Sequence, residues 1–416
     1  MKIYSRLIEY IDDNNIINPN QFGFRHKHST CLALLKFVDE ITKSIDERKI
    51  TVGIFIDLAK AFDTVNHSIL VNKLNHYGIR GVANKWFVSY LSNRQQYVSI
   101  NNKMSKFSGI VCGIPQGSIL GPLLFLIYIN DLNFASNKLK NIMFADDTNL
   151  FLTGKNMDQI EVELNSELVA ISDWFQANLL SLNVKKTSYM IFTNRKNLSC
   201  QIHMLGTVLN RASDSRFLGV IVSHNLKWNK HIDLVISKIS KSIGIVSKLR
   251  HLLPQTLTRS LYLTMVEPYL NYCCIIWAGS EKTVMLEKIL KIQKKYCRII
   301  TFSKFIAPSK PLFISLHLLD IYNIYAHQLA VHMFIHLHNM LPSHLLLHFP
   351  THESMHNYNT RRKADLRTVY CRTALRHNSF LVSGPKYWNQ LPTSIKNSPS
   401  VRVFKKRFKL FLLSKA

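Results

Sequence analysis

The run NIMFADDTNLFL, residues 141–152, places two adjacent carboxylates in the middle of an otherwise apolar stretch. Desolvating a carboxylate is costly, so the acids and their apolar flanks cannot share one buried strand. A β-hairpin satisfies both, with apolar strands on either side and Asp146 and Asp147 at the tight turn between them. A second apolar run, ITVGIFID, reads as a strand that ends near Asp57. If these strands are neighbours in one sheet, three carboxylates converge on one end of it, and such an oxygen-only set suits hard divalent cations. Adjacent residues on a strand point to opposite faces, which makes Asp146 the safer direct ligand of the pair. Unless cations neutralise them, like charges so close raise the pKa of one carboxyl. Asp63, six residues after Asp57, reads as a residue that packs or caps below the site.

Around these runs the chain alternates helices and strands. Periodicity predicts a helix over 1–17, a polar loop NPNQFGFRHKHST, and a helix over 30–48 capped by Ser29 or Thr30. Two short helices are expected between Asn66 and Leu91, broken at Gly78 and Gly81, then a hairpin turning near Asn101 and Asn102. The loop GIPQGS leads into a helix over 121–132. A long helix over 156–180 precedes the lysine-bearing strand LNVKKTSYMIFT and a last hairpin, FLGVIVSHNLKW. This interleaving, with several antiparallel strands, argues for an α+β fold with a split sheet rather than an open parallel one. Beyond Asn229 the pattern turns helical, over 229–251, 255–273, 281–302 and 319–339. Residues 341–372, rich in His and Arg, read as a flexible connection, and the tail after Ser398-Pro399 as a helix with a Lys/Arg face.

Charge divides the chain as sharply. Residues 1–200 hold 22 basic and 17 acidic groups, a net of +5, whereas residues 201–416 hold 31 and 8, a net of +23. One half reads as built around specific chemistry and the other as a grip on a polyanion, nucleic acid above all. Within the latter, Lys291, Lys294, Lys295 and Arg298 fall at i, i+3, i+4 and i+7 and share a broad helical face that suits phosphate backbones. Trp228 and Trp277 are expected in the core rather than on bases. Seven scattered cysteines without a CxxC read as buried thiols in a reducing compartment. His327, His332, His336 and His338 read as packing and surface histidines, since no cysteine or carboxylate completes a zinc site beside them. The longest strongly apolar stretch, ILGPLLFLIYI, is too short to span a bilayer and the start lacks an apolar signal core. An intracellular protein with no membrane segment is therefore expected.

FIDLAKAFDTVNHSIL, GIPQGSILGPLLFLIYINDL and FADDTNLF occur in that order, after NQFGFRHKHST and before LSLNVKKTSYMIF and FLGVIVSHNLKWNKHI. The series resembles the polymerase motifs of reverse transcriptases from non-LTR (LINE-type) retrotransposons, most like the jockey-type group. The resemblance is strong over about 18–235 and weaker to the end, where YWNQLPTSI and FKKRFKLFL are similar to the carboxy-terminal pattern of such reading frames.

That resemblance implies a right-handed polymerase. Residues 1–50 would be partial fingers, 51–228 a palm with a split antiparallel sheet and interleaved fingers elements, and 229–340 a helical thumb and basic nucleic-acid-binding region. Residues 341–416 would be a flexible basic connection and a C-terminal helical segment. The implied activity is RNA-directed DNA polymerisation, with an RNA template, a DNA primer or target DNA, and deoxynucleoside triphosphates as partners. Asp57, Asp146 and Asp147 are then the catalytic carboxylates that hold two Mg²⁺ ions, with Mn²⁺ as a substitute. Lys186 corresponds to a palm lysine that protonates departing pyrophosphate or holds the triphosphate, leaving Lys185 at the surface. Arg25 looks like the fingers cation that meets the triphosphate, its fork suited to phosphate oxygens, with Lys27 as the alternative. Phe62 matches the ring that presses on the sugar and clashes with a 2′-hydroxyl, although from sequence alone it is a core aromatic. Gln116 and Gly117 fall near the nascent base pair, in a loop that Gly113 and Gly117 free and Pro115 restricts.

Family members are expected to work as ribonucleoproteins in the nucleus or cytoplasm. They carry a DNA-cutting endonuclease before the polymerase, and the resemblance leads us to expect that domain, and part of the fingers, to be missing from this chain. Two alternatives stand beside this reading: an inactive or domesticated nucleic-acid-binding remnant, and a group II intron-like reverse transcriptase. The FADDT context favours the LINE-type reading over the second.

Overall fold

The computed structural model describes residues 2–279, 284–354 and 363–415, which form a mixed α/β architecture. The chain divides into two compact units, residues 1–33 with 48–218 and residues 34–47 with 219–416.

A five-stranded sheet organises the first unit. Its strands are β1 (Ile50–Ile56), β2 (Lys140–Phe144), β3 (Asp147–Gly154), β4 (Ser188–Phe192) and β5 (Asn210–Arg211), in the spatial order β5-β4-β1-β3-β2. Only the β5-β4 pair is parallel; the other pairs are antiparallel. β1 is buried along its whole length. Its run of Ile, Val, Thr and Phe suits a central strand covered on both faces. The register sets Ile56 opposite Thr148 and Ile50 opposite Gly154, so the end of β1 meets the start of β3.

Two helices supply much of the core beside the sheet. Met157–Ala177, capped by the Asn156 side chain on the Asp158 N–H, buries Ile160, Leu164, Leu168, Ile171 and Phe175 at helical spacing. Gly121–Ile129 is apolar all round and buried from Leu123 to Ile129, which is why its sequence shows no polar stripe. Each such fully buried aliphatic or aromatic side chain contributes about 1.5–3 kcal/mol. The helix expected over 121–132 tightens into a 3₁₀ turn at Asn130–Phe134. There the buried Asn130 amide accepts from the Asn18 N–H and donates to the Ile16 carbonyl, tying down the start of the NPNQFGFRHKHST loop. The expected break between Asn66 and Leu91 lies between His67–His76 and Gly81–Leu91. Asn101 and Asn102 both adopt positive φ, +50° and +61°, as a two-residue hairpin turn requires.

The described part of the second unit is mainly helical, around Tyr262, Trp277, Tyr296, Phe334 and Phe404, all buried. Asn229–Leu249, Val284–Ile300 and Ile321–Leu337 occupy three of the expected spans; residues 281–283 lie outside the described residues. The helix expected over 255–273 is instead two, Gln255–Met265 and Glu267–Asn271. Pro268 lacks the N–H that a continuous helix needs, and the chain bends at Val266, where φ is −120°. The histidines of Ile321–Leu337 serve packing. His327 stacks on Phe408, His332 bonds the Gln328 carbonyl, and burial pushes His336 down to about 4. Within 341–372, residues 355–362 lie outside the described residues; elsewhere His352 and Glu353 donate backbone bonds to Asp365 and Lys363. Val401–Lys415 turns Arg402, Lys405, Lys406 and Arg407 to solvent.

Cys200, Cys273, Cys274 and Cys297 are buried free thiols, and burial pushes Cys200 up to about 11. Three depart from that expectation: Cys31 and Cys371 are half-buried, and Cys112 is exposed, because it sits on the loop that approaches GIPQGS. Among the described residues no helix is long and apolar enough to cross a membrane.

Candidate active site

β1 and the β2-β3 hairpin bring the three carboxylates to one end of the sheet. Phe144 pairs with Asp147, which leaves Ala145 and Asp146 as the two residues of the turn. Continuing the β1-β3 register by one residue sets Asp57 opposite Asp147. Asp147 keeps a solvent-exposed side, yet its carboxyl is raised above the ordinary range, first by burial and then by the charges of Asp146 and Asp57. The three acids therefore share one electrostatic environment, as adjacent strand ends dictate.

The backbone around Asp57 is fastened from the β4 side. Its N–H donates to Thr187 Oγ at 3.3 Å, and its carbonyl accepts from the Asn183 N–H at 2.9 Å. Lys186 lies in that same 183–187 turn, exposed beside Lys185. Phe62 is half-buried, stacked on Phe125 with ring centroids 4.4 Å apart and edge-on to the exposed Phe24 at 6.2 Å. The ring is thus both a core contact and part of an accessible wall.

The GIPQGS loop is pinned to the segment after Asp57. The Ile114 N–H donates to the Phe62 carbonyl and the Gly113 N–H to the Val65 carbonyl, at 2.9 and 2.8 Å. Gly113 has φ +87°, and a Cβ there would lie 2.7 Å from the Asp63 carbonyl oxygen, so only glycine allows this approach. Gln116 Nε2 donates to Asp63 Oδ1 at 2.8 Å. Asp63 therefore orients the Gln116 amide. Gly117, at φ +78°, borders open space.

Arg25 is half-buried, and its guanidinium donates to the carbonyls of Asn18 and Gln21 at 3.0 and 3.2 Å. Burial lowers its pKa. Lys27 is exposed, with φ +59°. The residue that sequence reasoning missed is Gln21, buried against the carboxylate turn. Its Oε1 accepts from the Ala145 N–H at 2.9 Å and its Nε2 donates to the Ala145 carbonyl at 3.4 Å. A glutamine inside the polar loop NPNQFGFRHKHST carries no periodic signal that would have singled it out.

Three carboxylates at a sheet end are hard oxygen donors, and their mutual repulsion at Asp147 is relieved by a cation. Among the described residues no three His, Cys, Asp or Glu side chains form a ready-made metal cage. Mg²⁺ does not require one, because it keeps several waters and takes one or two carboxylates alongside substrate phosphates. The donor set fits a divalent cation of that kind.

In the second unit, Lys291 and Lys295 are exposed on Val284–Ile300, and Lys288, one turn earlier, joins them. Lys294 is half-buried on the same helix. Arg298 is turned onto the Ala307 carbonyl at 3.0 Å and lies over the Phe305 ring. Trp277 is a core residue, its indole N–H on the Tyr272 carbonyl at 2.9 Å; Trp228 is half-buried.

The family model described as "Reverse transcriptase (RNA-dependent DNA polymerase)" matches residues 1–222. The probable RNA-directed DNA polymerase from transposon BS of Drosophila melanogaster is 27% identical over 320 residues, covering 72% of this chain and 34% of that protein. The RNA-directed DNA polymerase from mobile element jockey of the same species is 25% identical over 312 residues, with the same coverage. The chain thus spans about a third of the length of these curated relatives. Among solved structures, apo telomerase from Candida Tropicalis aligns at 11% identity and a TM-score of 0.42, over 79% of this chain and 54% of that one.

Proposed function

The chain belongs to the reverse transcriptase (RNA-dependent DNA polymerase) family, and from that premise we propose that it is the polymerase part of a jockey-type non-LTR retrotransposon protein. It adds deoxynucleotides to a primer 3′-hydroxyl on an RNA template, and its intracellular setting is a ribonucleoprotein in nucleus or cytoplasm. The observation that carries this reading is the coupling of Asp147 to both Asp57 and Asp146 at the ends of paired strands, beside the pinned GIPQGS loop.

In this reading Asp57, Asp146 and Asp147 hold two Mg²⁺ ions, which when bound lower the pKa of the attacking hydroxyl and neutralise charge on the transferred phosphate. Phe62 walls the sugar, and its stack on Phe125 keeps the ring from yielding to a 2′-hydroxyl. Gln116, oriented by Asp63, contacts the nascent pair without reading sequence. Lys186 supplies a cation for the pyrophosphate side, and Arg25 or Lys27 one for the triphosphate. Residues 1–50 act as partial fingers, 51–228 as palm and interleaved fingers, 229–340 as thumb and 341–416 as a basic C-terminal region. Lys291 and Lys295, with Lys288 one turn earlier and Lys294 at their edge, belong to the thumb's grip on the template–primer backbone, in keeping with the basic excess of that half, whereas Arg298 is taken up by the Ala307 carbonyl.

The test is Mg²⁺-dependent extension of a DNA primer on an RNA template by the purified chain and by Asp146→Asn. Extension by the wild type alone supports the proposal. Tight template–primer binding without extension by either would replace it with a nucleic-acid-binding remnant.

A further inference from the structure

The carboxylate turn is held in a conformation that its own residues disfavour. Ala145 has φ +57°, a left-handed value that a side chain with a Cβ resists. Within the β2-β3 hairpin the Phe144–Asp147 pair and the Thr148 Oγ1 bond to the Asp146 carbonyl at 3.4 Å brace the turn. Further bracing comes from residues 20–23, which run along the outer edge of β2. The Met143 N–H donates to the Asn20 carbonyl and the Phe22 N–H to the Met143 carbonyl, at 2.9 and 2.8 Å.

From this edge the Gln21 side chain reaches the turn, and the residue is 1% exposed. Its Oε1 accepts from two backbone N–H groups, Ala145 at 2.9 Å and Gly23 at 2.8 Å. Two donors converging on one oxygen fix the orientation of the amide, and they leave Nε2 facing the Ala145 carbonyl. Gly23 completes the fit: a Cβ there would lie 2.3 Å from the Ala145 nitrogen.

We propose that Gln21 is a positioning residue for the carboxylates. By engaging both the N–H and the carbonyl of Ala145 it locks the left-handed turn, and so fixes where Asp146 and Asp147 stand relative to Asp57. The proposal rests on the polymerase reading above, and it adds a residue that touches neither substrate nor the reacting atoms. A leucine in its place matches the volume but leaves two buried N–H groups without an acceptor, so the turn relaxes. Glycine at position 145 adopts positive φ without strain, so it removes the need for the lock.

The experiment uses the full chain as Gln21→Leu, as Gln21→Leu/Ala145→Gly, and as Asp146→Asn for a zero. Three readouts are taken: hydrogen exchange of the 141–148 segment, Mn²⁺ affinity by titration with the metal alone, and extension kinetics. Gln21→Leu is expected to quicken exchange at least tenfold, weaken Mn²⁺ at least fivefold, and lower kcat about 10- to 100-fold. The KM for the nucleotide should stay within about threefold. A merely structural loss would not give that kcat-against-KM split, nor its recovery when Ala145→Gly is added. A folded Gln21→Leu with wild-type Mn²⁺ affinity and kcat overturns the proposal, as does a double variant that recovers nothing. Should Gln21→Leu fail to fold, Gln21→Asn, one methylene too short to reach, carries the same expectations. A wild type that neither binds Mn²⁺ nor extends a primer sinks the polymerase reading. Segment exchange in that case still decides the lock, for or against.

Discussion

If Asp146 repels its neighbours in the absence of metal, neutralising it should stabilise the very chain it inactivates. The perturbation is Asp146→Asn, which keeps the shape and the backbone of the turn. Asp147 is raised by burial and by the charges of Asp146 and Asp57, so in the metal-free protein its ionised form is disfavoured relative to the unfolded chain. The sign follows from linkage. The folded state holds the Asp147 proton more tightly, so the contribution of Asp147 to metal-free stability is fully present below the ordinary carboxylate range and is lost as pH rises through the raised value. Because Asp147 is partly open to solvent, the repulsion is screened. Taking a separation of roughly 6–8 Å and an effective dielectric of roughly 40–80, the Asp146 charge costs about 0.5–1.4 kcal/mol. That corresponds to a rise of about 1–4 °C in Tm for the variant. The assay is thermal melting in EDTA at low salt across pH 4–8, with hydrogen exchange of β1 and β3 reporting the first unit. Adding Mg²⁺ should then stabilise the wild type, by about 1.4 kcal/mol at tenfold excess over its dissociation constant, and leave the variant nearly unmoved. A variant less stable than wild type in EDTA, or a stability difference between variant and wild type that does not widen as pH rises through that window, would refute the reasoning.

Phe62→Ala should raise ribonucleotide use relative to deoxynucleotide use and cost about 1–3 kcal/mol through the lost stack on Phe125; an unchanged ratio would remove Phe62 from the sugar site. In the second unit the buried Arg376 guanidinium forms an ion pair with Asp39, so Arg376→Leu strips the partner from a carboxyl that burial already raises and should destabilise that unit by about 3–5 kcal/mol in denaturant melts. The loss should grow as pH rises above the carboxylate range, and Asp39→Asn in the same chain should recover part of it; no recovery would refute the pairing argument. Changing Lys288, Lys291 and Lys295 to Gln should weaken template–primer binding and flatten its log–log salt dependence by up to about 2.7. A slope equal to wild type would place the backbone grip elsewhere.

The sequence by itself determined a great deal here, because its strongest signals are local. Acids inside apolar runs can only sit at strand ends, so the hairpin around Asp146 and the strand ending at Asp57 were legible, as were the paired asparagines that turn at 101–102. The order of the motifs named the family. The broken helix at Pro268 was also written in the chain, since proline removes a donor wherever it stands, yet apolar spacing on both sides concealed it. What only the tertiary structure decided is how side chains far apart in sequence use one another. Gln116 is oriented by Asp63, Arg298 turns to Ala307 instead of joining the exposed lysines, and the histidine helix packs on Phe408. Gln21 is the clearest case. A glutamine in a polar loop looks soluble and idle, and its meaning depends on an edge pairing with Met143 that no local pattern encodes. Periodicity reports which face of an element is buried; it does not report which backbone group a lone amide will meet. That pairing is settled by packing across the fold, where a strained turn 124 residues away presents an N–H and a carbonyl to a single side chain.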